Sequence, residues 1–166
     1  MTDGVRRLVK NSGYPNMKVL QFAVDPSDIA CSNDYWPQNY NSNCVVYTGT
    51  HDNETVAGWF AGLDKASVKQ VRDYLCNHDT PDEKMYKVLI GTAMTSVAKD
   101  CIVPLQDHLG LDNSCRMNQP GTVGFNWRWR MTRDQLTAEL AEEVKAMTII
   151  ANRANWDAIN ANKKEK

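Results

Sequence analysis

Three short apolar runs recur along the chain, each followed by a polar stretch and then by residues at helical spacing. Met17-Lys18-Val19-Leu20-Gln21-Phe22 is mostly apolar and short, which predicts a buried strand. Before it, Gly4 to Asn11 reads as the end of a helix. Gly13 suits the position after a helix, and Pro15 cannot continue one. Asp25 to Asn43, rich in Asp, Asn, Ser and Pro, predicts a long loop carrying Tyr35, Trp36 and Tyr40. Cys44-Val45-Val46-Tyr47-Thr48-Gly49 is β-branched and predicts a second strand. A helix over 54–61 follows. The next, over 65–76, has Asp64 as its cap and Val68, Val71, Tyr74 and Leu75 at helical spacing. Pro81 opens a third helix running to about Ala98. Cys101-Ile102-Val103-Pro104-Leu105 predicts the third strand, ended by its proline. A second long loop spans 106–130, and a last helix spans 134–152. Strands alternating with helices argue for an α/β fold with a parallel sheet. In such folds ligand groups gather where the chain leaves the strands' C-terminal ends. The loop from Asp25, the His51-Asp52 pair and the loop from Gln106-Asp107 all fall there.

Composition narrows the function classes. The 166 residues are 42% apolar and 23% charged, with a net charge of −1. A soluble globular protein is expected, and a polyanion partner such as nucleic acid is not. No apolar stretch approaches the roughly 18 residues of a membrane span, and the first ten residues lack the pattern of a signal peptide. Five cysteines, an odd number without CxxC spacing, argue against a disulfide framework and a structural zinc site. They fit a cytoplasmic protein. Lys163, Lys164 and Lys166 read as a solvated tail.

Thr50-His51-Asp52-Asn53 is the sharpest chemical feature. It sets an imidazole beside a carboxylate at a strand end, where the pair can bind adjacent hydroxyls of a sugar ring. The same Asp52 could instead cap the helix that begins near Glu54, and residue types alone do not separate the two. Exposed aromatics beside a polar cleft commonly stack on sugar rings. Trp127 and Trp129, alternating with Arg128 and Arg130, read better as loop packing. Asn118, in Arg116-Met117-Asn118, offers both donors and an acceptor for hydroxyls. The histidines show no metal-ligand spacing, and no GxSxG, GxGxxG or P-loop pattern occurs. No metal and no cofactor is therefore expected.

Several segments in fixed order carry a resemblance. They are Lys18 to Ala23, Asn39-Tyr40, Cys44 to Asn53, Val103 to Asp107, Arg116-Met117-Asn118 with Pro120-Gly121-Thr122, and Asn126-Trp127-Arg128-Trp129-Arg130. Together they resemble the amylomaltases, the 4-α-glucanotransferases also called disproportionating enzymes. The likeness covers nearly the whole chain. It implies a (β/α)₈ TIM barrel of the α-amylase clan and retaining transfer of α-1,4-glucan segments between malto-oligosaccharides. By the same resemblance Asp52 is the catalytic transition-state stabiliser. His51, Asn118, Phe22 and Asp25 are substrate-binding.

The resemblance also implies that the nucleophilic Asp and the acid/base Glu of a retaining pair lie upstream of everything matched. Residues 1–166 are then expected to form the C-terminal portion of one catalytic barrel, about strands six to eight. The isolated chain is expected to be inactive and poorly soluble. The missing N-terminal part would be its partner. The alternative is a vestigial or maltodextrin-binding fragment that does not catalyse.

Overall fold

The three apolar runs form three parallel strands: β1, Asn16–Val19; β2, Cys44–Tyr47; and β3, Asp100–Ile102. They are seen in a computed structural model that describes residues 2–157, 159 and 160. The Lys163, Lys164 and Lys166 tail lies outside the described residues. β2 is central, pairing with β1 on one side and β3 on the other, with Val19 opposite Tyr47 and Tyr47 opposite Ile102. The chain divides into two compact units, Met1–Trp129 and Arg130–Lys166.

In the first unit α1, Asp3–Ser12, ends on Gly13 at φ 72°. That left-handed conformation suits a residue without Cβ. β1 is shorter than its apolar run, because Leu20–Ala23 turns into a 3₁₀ helix. α2, Val56–Gly62, is capped by Thr55, whose hydroxyl accepts from the Gly58 amide. α3, Lys65–Tyr74, is capped by Asp64 as the sequence indicates. A 3₁₀ turn at Asp82–Lys84 leads into α4, Met85–Met94. The helix expected to reach Ala98 stops early. There the Thr95 and Ser96 hydroxyls bond back to the carbonyls of Gly91 and Ala93, offering the backbone an alternative to the helical ladder. β3 also ends sooner than expected. Pro104 has no amide for a ladder, and its φ of −55° starts α5, Leu105–His108, instead. Gln106 and Asp107 thus stand on a helical turn and not in a loop.

In the second unit Thr137, accepting from the Leu140 amide, caps α6, Ala138–Ile150. A separate 3₁₀ turn at Arg133–Gln135 precedes it, so the single helix expected from Asp134 is split by its cap.

Alternation along β2 decides where the first unit's core lies. Cys44 and Val46 are fully buried on one face. Val56 and Phe60 of α2, Val71 of α3, and Met85, Leu89 and Ala93 of α4 complete the cluster with them. On the opposite face Met17 and Ile102 are about half exposed. The three strands end at a common edge, and the candidate site is built from the turns that leave it.

Candidate active site

His51 and Asp52 sit on the turn between β2 and α2. Gly49 opens that turn at close quarters: a Cβ there would stand 2.6 Å from Gln21 Nε2. Asn53 then folds the turn back, its side-chain oxygen accepting from both the amide and the hydroxyl of Thr50. His51 Nε2 lies 3.3 Å from Asp52 Oδ1, and the two side chains are 54% and 47% exposed. Both can therefore be reached by a ligand. Asp52 does not cap α2, since Thr55 does. Its carboxylate instead accepts from Asn118 Nδ2 at 2.6 Å.

The segment after α5 is tied to the same turn. The Asn118 amide donates to the His51 carbonyl at 3.0 Å. Arg116 donates to the carbonyls of Asp52 and Asn118, at 2.6 and 2.9 Å. Trp127, at φ 63°, donates its amide to the Met117 carbonyl. Its ring lies 5.0 Å from the His51 ring at 37°. Trp127 thus stands at the site, where packing of the loop alone was expected. Trp36 and Tyr40 are buried and do pack their loop.

Two buried side chains grip the turn from beneath. Gln21 donates to the Glu54 carbonyl at 2.8 Å. Asp107 is fully buried, accepting from the Thr48 hydroxyl and from the Val56 amide. Burial pushes its carboxyl up from the ordinary range, and those two donors oppose the shift. Gln106, which donates to the Cys115 carbonyl, and Asp107 are both buried, and both line the cleft beside the turn.

Phe22 and Asp25 belong to the other long loop. Phe22 is half exposed and meets Tyr35 edge-on at 5.5 Å. The Asp25 carboxylate accepts from the hydroxyl and the amide of Ser27, the hydroxyl most strongly, and this holds its pKa below the usual carboxylate range. The structure thus brings His51, Asp52 and Asn118 together, with Phe22 and Asp25 in a separate constellation.

Beside the turn, Thr50, His51, Glu54, Pro104, Met117 and Trp127 border a cleft of about 190 Å³. His51 and Trp127 line that cleft, and His51 in turn meets the Asp52 carboxylate that Asn118 holds. That set can accept from and donate to neighbouring hydroxyls while a ring face covers apolar C–H surface. Among the described residues no three His, Cys, Asp or Glu side chains converge where they could hold a metal ion. Sequence reading missed the supporting roles of Gln21, Thr48 and Arg116. Only their position at strand ends or inside a motif signalled them.

A family model described as 4-alpha-glucanotransferase matches residues 1–137. The chain is 39% identical over 166 residues to the 4-alpha-glucanotransferase of Streptococcus pneumoniae, covering 98% of this chain and 32% of that relative. It is 43% identical over 157 residues to the Synechocystis 4-alpha-glucanotransferase, covering 92% of this chain and 30% of that one. The solved amylomaltase of Streptococcus agalactiae in complex with acarbose superposes with a TM-score of 0.85 at 33% identity, covering 93% of this chain and 30% of its own. The chain spans about a third of the length of the curated relatives it matches.

Proposed function

This chain belongs to the 4-alpha-glucanotransferase family, and we propose that it supplies the sugar-gripping part of an enzyme that moves α-1,4-glucan segments between malto-oligosaccharides. The observation that carries the reading is the Asp52 carboxylate held by Asn118 beside His51 at an exposed strand end. Hydrogen bonds to sugar hydroxyls that tighten as an oxocarbenium-like transition state forms contribute several kcal/mol in retaining glycosyl chemistry. Such gain appears in rate only when the contact is stronger in the transition state than in the bound substrate. Asp52 is the stabilising carboxylate. His51 and Asn118 fix the hydroxyls next to it, and Phe22 and Asp25 are further substrate contacts. The nucleophile and the acid/base carboxylate come from upstream sequence. None of the five described cysteines forms a disulfide, in keeping with the cytoplasm as the working compartment.

The test is titration calorimetry of the chain with maltoheptaose, alongside transfer from maltotriose. Wild type is expected to bind without transferring. Asp52→Asn removes the charge that His51 and the sugar share and should weaken binding by about tenfold, as for one bond to a charged group. Equal affinity in wild type and variant would sink the assignment of Asp52. Transfer by the chain alone would overturn the upstream origin of the other two carboxylates.

A further inference from the structure

Resting on the reading of the His51-Asp52 turn as the sugar-holding element, we propose that Asp107 is a positioning residue for that turn, its carboxylate fastening both ends of the segment that carries His51 and Asp52. Asp107 Oδ2 accepts from Thr48 Oγ1 at 2.6 Å, where β2 ends. Asp107 Oδ1 accepts from the Val56 amide at 2.8 Å, where α2 begins. Between those two points lies the whole of Gly49 to Thr55. One rigid group thus closes the loop at its base, and closing a loop removes much of its conformational freedom. The fastening comes from α5, immediately after β3. The turn is therefore referenced to the neighbouring strand as well as to its own. Arg116 and Asn118 hold the top of the same turn. The base and the rim are fixed separately.

Stability does not call for a carboxylate at this point. Thr48, Val56 and Asp107 are all buried, and taking a carboxyl out of water is costly even when it is hydrogen-bonded. Burial accordingly pushes the Asp107 pKa up. What a neutral residue does not reproduce is a pair of acceptor oxygens that meet two donors from two elements at once. Asparagine keeps one acceptor for the Val56 amide and turns a donor toward Thr48 Oγ1, which can accept it, so a bond to a carboxylate becomes a weaker one between neutral groups.

Three variants of the 166-residue chain test this: Asp107→Asn, Thr48→Val and Thr48→Ser. Three readouts are needed: amide exchange within Gly49 to Thr55, affinity for maltoheptaose, and the melting temperature. Asp107→Asn and Thr48→Val should each speed exchange in that segment and weaken binding by about tenfold, as expected for one hydrogen bond to a charged group. The melting temperature should stay within a few degrees, and Thr48→Ser should restore both losses. Unchanged exchange would overturn the proposal. So would faster exchange with unaltered affinity, or losses that follow a lowered melting temperature across the whole chain without rescue by Thr48→Ser. If wild type binds no maltoheptaose, the sugar-holding reading fails on its own, and the exchange comparison still decides whether Asp107 fastens the turn.

Discussion

Asp64 and Asp107 each accept from an amide in the first turn of a helix, yet their surroundings move them in opposite directions. Asp64 is open to water and accepts from the Ser67 amide, which holds its pKa below the usual range. A depressed carboxyl contributes stability that is present above the unfolded-state value and is lost as pH falls through the folded one. α3 should therefore loosen below about pH 4. Asparagine caps as well as aspartate but carries no charge. Asp64→Asn should leave the melting temperature at pH 7 almost unchanged and flatten its decline below pH 4. Circular dichroism melts at several pH values would show the difference, and an unaltered acid slope would rule Asp64 out as a contributor. Asp107 works in the reverse sense: its raised pKa means that its contribution is lost as pH rises through the folded-state value. That Asp64 caps a helix was legible in the sequence, because a cap and its helix are neighbours. The partners of Asp107 lie more than fifty residues away and were not.

At the scale of elements, α2, α3 and α4 owe their places to one buried cluster. Met85 opens α4 and is fully buried among Phe60, Val71 and Leu89. Removing it leaves a hole where α4 meets the other helices. Met85→Ala should lower unfolding stability by about 2–5 kcal/mol, read as a lower urea midpoint. A loss well under 1 kcal/mol would show that the site collapses or that α4 is not firmly packed. Apolar spacing exposed these helices readily. Their ends were harder, since hydroxyls at Thr95 and Ser96 and the proline at 104 decided them locally. Apolarity alone also overran β1, where Leu20–Ala23 turns into a 3₁₀ helix whose side chains stay largely buried.

At the scale of the molecule, α2, α3 and α4 pack with the Cys44 and Val46 face of the sheet. Among the described residues β1 and β3 each pair on one side only. On the opposite face Met17 and Ile102 keep about half their surface exposed. Parallel sheets are ordinarily covered on both faces, and open edges invite pairing with other chains. The 166-residue chain alone should therefore associate as its concentration rises and melt over a broad range. Light scattering and calorimetry would check both, and a sharp, concentration-independent transition of a monomer would contradict the expectation.

By itself the sequence determined the parallel α/β pattern and the family, through motifs such as Thr50-His51-Asp52-Asn53 and Arg116-Met117-Asn118, and it pointed to the strand ends as the candidate site. These rest on contiguous residues, so periodicity and local order suffice. Only the tertiary structure decided that Asp52 meets Asn118 and does not cap α2, that Trp127 lies on His51, and that Asp107 is buried beneath the turn. Each is a contact between segments more than fifty residues apart. No one-dimensional pattern records such a contact, because the packing of neighbouring strands creates it.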